Sequence, residues 1–376
     1  MGYRDRLDGV APRKMLALDG GGIRGVLTLE ILAAVEDIVR TECHNGDMVL
    51  GDYFDYIGGT STGAIIAAGL ARGMSVSEIR TIYHDHGEEM FDKASILKRY
   101  RYKFDSDRLQ QLMQTTYDKQ TTFGDETLKT LLMVVLRNAT TDSPWPLSNN
   151  PRAKYNDPTR ADCNLNLPLW QLVRASTAAP TYFPPEKIKL GEKERVFVDG
   201  GVTMYNNPAF QLFLMATLGA YRLRWQTGED KMLLVSVGTG TAAKEDDTLQ
   251  PGDMNLLYNA ASIPAALMSA ALIEQDLLCR AFGRCRHGGG IDREIGDLID
   301  RADDEYSPGV LDERLFTYVR YNADLSADGL TELGLPRIRP QDVQKMDSVT
   351  HINELAQIGQ RVAERDVDAA HFNGFL

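Results

Sequence analysis

The stretch that most constrains the fold is Gly59-Thr60-Ser61-Thr62-Gly63 with its flanks. Before it lies the apolar run Tyr53-Phe54-Asp55-Tyr56-Ile57, and after it the small-residue run Ala64-Ile65-Ile66-Ala67-Ala68-Gly69-Leu70-Ala71. This order predicts a strand, a tight turn and a helix. A serine at such a turn is lifted clear of the backbone at the sheet edge, and glycines beside it tolerate positive φ and close contact. The helix start aims unpaired N–H groups and a partial positive charge at the same spot, which favours an oxyanion there. The pattern is G-x-S-x-G, the turn that presents a nucleophile. Glycine, serine and threonine also build ordinary loops, so the rest of the chain has to decide.

Two further strand ends carry glycine-flanked acids. Met15-Leu16-Ala17-Leu18 runs into Asp19-Gly20-Gly21-Gly22-Ile23-Arg24-Gly25, and a helix follows with Ile31, Val35, Ile38 and Val39 on one face. Val196-Phe197-Val198 feeds Asp199-Gly200-Gly201, and Met232–Val237 ends in Gly238-Thr239-Gly240. Strands alternating with helices predict an α/β domain with a mainly parallel sheet, whose sites lie at the carboxyl ends of strands. Acyl transfer needs a nucleophile, a base and donors for the oxyanion. Ser61 offers the oxygen, Asp199 the carboxylate, and Gly20, Gly21 and Gly22 offer N–H groups with no side chain in the way. An aspartate ionises near pH 4 in water, so as a base it has to be buried and close. None of the six histidines falls in these motifs.

Read together, these motifs resemble the patatin-like phospholipase family. Asp19-Gly20-Gly21-Gly22-Ile23-Arg24-Gly25 matches its oxyanion motif, Gly59-Thr60-Ser61-Thr62-Gly63 its nucleophile motif, and Asp199-Gly200-Gly201 its D-G-[GA] motif. Ala175-Ser176-Thr177-Ala178-Ala179-Pro180 and Val235-Ser236-Val237-Gly238-Thr239-Gly240 resemble two further blocks. The resemblance implies a three-layer α/β/α fold, a Ser61–Asp199 dyad in place of a Ser-His-Asp triad, and hydrolysis of an acyl ester in a membrane phospholipid or lysophospholipid. It requires no metal or organic cofactor. Bacterial members include antiphage effectors switched on by cyclic nucleotides, which implies such an activator as a second partner. The expected division is a catalytic core over residues 12–242 and a mainly helical extension over 243–376.

Two rivals are weighed against this reading. Gly20, Gly22 and Gly25 also satisfy the dinucleotide fingerprint of an oxidoreductase, but that needs an acid ending a second strand about 20 residues on. Arg40-Thr41-Glu42-Cys43-His44 follows a helix instead. A non-catalytic scaffold would not need Ser61 and Asp199 together.

With 41 basic against 53 acidic residues the net charge is −12, which argues against binding nucleic acid polymers and gives no general pull toward anionic lipid. Membrane contact is therefore expected to be local and peripheral. Four scattered cysteines, no apolar leader, and Arg6 where a myristoylation motif wants Ser or Thr point to a cytoplasmic protein. The longest uncharged run, Gly200 to Tyr221, is broken by Asn206-Asn207-Pro208 and is too short to span a bilayer.

Three segments carry open readings. Lys93–Phe104 interleaves basic and aromatic residues, as an anion-docking patch or a solvated face. Thr140–Asp162, with four prolines, reads as a long loop, with Trp145 as a lid aromatic or a core anchor. Arg280, Arg284, Arg286 and His287, ahead of Gly288-Gly289-Gly290, form a basic segment that either binds phosphate or ends a solvated helix. Val343–Val362 is expected to pack as an amphipathic helix through Ile352, Leu355, Ile358 and Val362.

Overall fold

The computed structural model describes residues 2–8, 12–91, 106–180, 182–241, 250, 256–292, 294–299 and 313–376. Its centre is a nine-stranded, mainly parallel sheet with helices on its faces. The strands are β1 (Arg13–Leu18), β2 (Tyr56–Thr60), β3 (Leu131–Asn138), β4 (Ser143–Ser148), β5 (Glu186–Leu190), β6 (Lys193–Asp199), β7 (Met232–Val237), β8 (Arg284–His287) and β9 (Thr317–Tyr321). β1 lies between β2 and β7, β2 pairs with β3, and β9 lies between β7 and β8, all parallel. β1, β2 and β7 read as continuous apolar or small-residue runs because both of their faces are covered, and every residue of β2 and β7 is buried.

The register around β3 creates the feature on which the site depends. β4 runs antiparallel along Met133–Asn138 of β3 and occupies one edge. β2 pairs with Leu131–Val135 and β6 with Leu136–Asn138, so these two must share the other edge, end to end. β2 is parallel and β6 antiparallel to β3, so their carboxyl ends meet.

Seven helices concern the argument. They are α1 (Gly25–Glu42), α2 (Thr62–Ala71), α3 (Val76–Phe91), α4 (Leu169–Ser176), α5 (Ala209–Thr217), α6 (Leu256–Phe282) and α7 (Ile352–Asp366). α2 is buried along its whole length, which explains its run of Ala, Gly and Ile. α7 lays Leu355, Ile358 and Val362 inward, and Gly359 lets it approach α1 so closely that a Cβ there would stand 2.7 Å from the Leu27 carbonyl. The helix starts at Ile352, because Pro340–Val343 forms a separate short turn of helix.

Two expectations change and one open reading is decided. Thr140–Asp162 is not all loop, because Ser143–Ser148 forms β4. Its Pro144 and Pro146 are tolerated because, among the described residues, β4 pairs with β3 alone. Trp145 stacks on Phe197 with centroids 4.7 Å apart and packs on the core, which makes it an anchor. The C-terminal third is rich in helix, yet it also contributes β8 and β9 to the same central sheet. The Lys93–Phe104 segment lies outside the described residues. Among the described residues no helix is long and apolar enough to cross a membrane.

Candidate active site

Ser61 sits at the turn between β2 and α2, with φ 54 and ψ −122. A non-glycine residue held there costs on the order of 1–3 kcal/mol, and such strain tends to gather at functional positions. The turn closes only because its glycines lack side chains. A Cβ on Gly59 would stand 2.1 Å from the Gly63 carbonyl oxygen, and one on Gly63 would stand 2.2 Å from that of Leu18.

Ser61 Oγ donates to Asp199 Oδ2 at 2.7 Å, and Gly201 N–H donates to Asp199 Oδ1 at 2.6 Å. Both side chains are buried, with Ser61 8% and Asp199 4% exposed. Burial pushes the Asp199 carboxyl up to about 6, against the opposing effects of the Ser61 and Gly201 hydrogen bonds. A carboxylate so raised and already accepting a hydroxyl proton is arranged for general-base work.

Gly20, Gly21 and Gly22 follow β1 beside this pair. A Cβ on Gly20 would come within 3.3 Å of Ser61 Cβ, so the loop and the hydroxyl are neighbours. Gly20 N–H is already committed, because it donates to the Asn206 carbonyl at 3.0 Å. The expected oxyanion donors therefore narrow to the amides of Gly21 and Gly22, together with those at the start of α2. Gly22 has φ +63, the left-handed geometry glycine allows.

A family model described as "Patatin-like phospholipase" matches residues 16–213, just over half of the chain. The chain belongs to the patatin-like phospholipase family. It is 30% identical over 245 residues to a cGAMP-activated phospholipase of Escherichia coli (strain TW11681), covering 63% of this chain and 64% of that one. It is 30% identical over 251 residues to Patatin-17 of Solanum cardiophyllum, covering 62% of each. A cGAMP-activated phospholipase of Vibrio cholerae serotype O1 matches at 30% over 208 residues, 52% of this chain and 56% of that one. These matches span less than two thirds of the relatives' own length. The solved structure of VipD from Legionella pneumophila aligns over 92% of this chain and 67% of its own at 15% identity and a TM-score of 0.36, a likeness too loose to carry an argument.

In this patatin-like chain, two motif residues have structural partners that sequence left open. Asp19 makes a bidentate pair with Arg320, at 3.0 and 2.6 Å, and Arg320 also donates to Ser236 Oγ at 2.7 Å. Burial disfavours the Arg320 charge, but the Asp19 carboxylate outweighs it and holds the guanidinium protonated. Arg24 donates to the Gly21 and Gly240 carbonyls and makes no ion pair among the described residues. Burial pushes it down to about 10, with Asp19 pulling the other way.

Several positioning residues were missed. Ser176 Oγ accepts Ser61 N–H at 2.9 Å and donates to the Val135 carbonyl at 2.7 Å, where β2 stops and β3 continues. Asp199 N–H donates to the Ala178 carbonyl. The Ala175–Pro180 block thus pegs both halves of the pair, and its presence as a conspicuous small-residue block was the available signal. Thr239 Oγ1 donates to the Gly20 carbonyl at 2.9 Å, and Ile23 N–H donates to the Met346 carbonyl at 3.0 Å. Thr239, Gly240, Arg320 and Met346 all lie beyond the segment the family model matches. No spacing in the sequence links them to Gly20.

The basic segment at the end of α6 and along β8 is engaged within the fold. Arg280 pairs with Asp276, Arg284 with Glu229, and Arg286 donates to the His371 and Asn373 carbonyls.

Proposed function

We propose that this chain is a serine-type lipid acyl hydrolase acting on a phospholipid or lysophospholipid. The observation that carries the reading is the 2.7 Å hydrogen bond from Ser61 Oγ to the buried Asp199 carboxylate. In this scheme Ser61 Oγ attacks the ester carbonyl carbon while Asp199 takes the hydroxyl proton. The tetrahedral oxyanion is held by the amides of Gly21 and Gly22 and those at the start of α2. Collapse expels the alcohol, which recovers the proton from Asp199, and leaves an acyl-Ser61. Water then repeats the sequence, with Asp199 again as base, and releases the fatty acid. Membership of a phospholipase family supports the substrate class.

Two relatives bear the name cGAMP-activated phospholipase, which supports a cyclic nucleotide as activator and an antiphage role for this chain as well. A net charge of −12 gives the chain no general pull toward anionic lipid, so any membrane contact has to be local. The test is fatty acid release from phosphatidylglycerol, phosphatidylethanolamine and their lyso forms, with and without cGAMP. Wild type should release fatty acid and Ser61→Ala should not. Equal release by both proteins would defeat the reading.

A further inference from the structure

The amino ends of the strands carry a second cleft, remote from Ser61. It is lined by Pro151, Arg152, Asp157, Arg222, Leu223 and Arg224, among others, and encloses about 690 Å³. Its place is fixed by Trp225, which receives Arg13 over its ring at 4.7 Å and packs edge-on to Tyr56, the first residues of β1 and β2. Ser61 lies past the opposite ends of those strands.

Three arginines and one acid line this cleft, in a chain whose net charge is −12. The acid, Asp157, is turned into its own loop, where it accepts Thr159 N–H at 2.9 Å and Thr159 Oγ1 at 2.7 Å. Arg152 already holds an anion, the Asp8 carboxylate, and Arg222 donates to the Arg152 carbonyl at 3.2 Å. Arg224 has no ion pair among the described residues. Arg222 and Arg224 also both hold left-handed backbone, with φ 66 and φ 55. Two arginines two residues apart in a conformation that favours glycine are costly for stability alone. They present two guanidinium groups on exposed residues that alternate with the buried Leu223 and Trp225.

We propose that this cleft binds a small ligand carrying two or more phosphate charges. Guanidinium groups match phosphate oxygens bidentately, and a concave basic site focuses potential on an anion. The volume falls within the roughly 300–1,000 Å³ usual for small-molecule sites. A nucleotide and a phospholipid headgroup share this chemistry. The cleft is connected to the candidate active site by α5. That helix starts just after Asn206, whose carbonyl holds the Gly20 amide, and ends about 13 Å away at the turn that leads to Arg222. Tyr221, beside Arg222, accepts through its hydroxyl from Gln211 in the first turn of α5 and through its carbonyl from Asn150. Any effect of the ligand on turnover rests on the acyl-hydrolase reading, whereas its binding does not.

The test is calorimetric titration of the full chain with pyrophosphate, with cGAMP and with phosphatidylglycerol vesicles, at two salt concentrations. Wild type should bind at least one probe, more weakly at high salt. Binding of pyrophosphate or cGAMP but not vesicles assigns a soluble nucleotide, and binding of vesicles alone assigns a headgroup. The double variant Arg222→Gly and Arg224→Gly removes two charges while supplying the residue that the backbone conformation suits. It should melt no lower than wild type and bind at least tenfold more weakly. Arg224→Gln, at an exposed position, should weaken binding in the same direction and serves if the double variant does not fold. No binding of any probe by wild type, or unchanged binding in folded variants, overturns the proposal.

Discussion

Thr60 and Asp199 pair with consecutive residues of β3, Thr60 with Val135 and Asp199 with Leu136. Ser61, one residue past Thr60, therefore arrives level with Asp199, and the hydroxyl–carboxylate contact follows from strand register. The meeting of β2 and β6 on one edge brings together residues separated by 138 positions in the chain.

Because strand register sets this contact, an extra methylene at position 199 moves the carboxylate out of place. Asp199→Glu keeps the charge but displaces the carboxylate, and Asp199→Asn removes the base. Each should lower kcat by about 10²–10⁴, the usual worth of a positioned general base. Fatty acid release under saturating substrate checks this.

Asp199 also sets a pH dependence. Its carboxyl titrates at about 6 in the fold, above the ordinary aspartate value, because it is buried. Only the ionised form accepts the Ser61 proton, so kcat should rise through about pH 6 and level off above it. The stability effect has the opposite sense. A group raised on folding favours the fold below its unfolded value, near 4, and that contribution is lost as pH rises through about 6. Asp199→Asn should thus gain stability relative to wild type between pH 4 and 6, by up to about 3 kcal/mol at neutral pH. Thermal melts of both proteins across pH 4–8 measure it.

Ser61 holds backbone strain that glycine would relieve. Ser61→Gly should melt higher than wild type, by on the order of 1 kcal/mol or more, while losing turnover. Ser61→Ala should lose turnover without that gain, since alanine keeps the steric cost.

How much of this could be read from the chain depends on whether a signal is local. The elbow at Ser61, the glycine loop after β1 and the Asp199 turn each announce themselves within a few residues, through apolar runs that stop at glycines. β4 did not, because Pro144 and Pro146 read as loop and only their edge position makes them a strand. Ser176 stood in a visible block, but its role as a peg between Ser61 and Val135 depends on where two strands meet. Arg320 gave no signal at all, since its partner Asp19 lies 301 residues away and is brought near only by β9 joining the sheet next to β7.

That distant pair carries its own expectation. Arg320→Met would leave the Asp19 carboxylate buried and unpaired, and breaking such a pair costs about 3–5 kcal/mol. Because Asp19 directly precedes the glycine loop, the variant that still folds should lose kcat more than KM. Arg320→Lys, which keeps the charge without the bidentate fork, should recover stability further than it recovers kcat. Denaturant melts and steady-state kinetics on the three proteins separate these effects.

Ser176→Ala would break both hydrogen bonds of the peg. With a buried amide and a buried carbonyl each left unmatched, the loss should be about 2–4 kcal/mol in stability. A fall in kcat should accompany it, as the Ser61 backbone is freed.

The most direct measurement is mass spectrometry of the chain after reaction with a fluorophosphonate, mapped to the residue and compared among wild type, Ser61→Ala and Asp199→Asn, with cGAMP present. A single adduct on Ser61 in wild type, none in Ser61→Ala and slow labelling in Asp199→Asn is the predicted result. An adduct on another residue, or full lipid hydrolysis by Ser61→Ala, would contradict it.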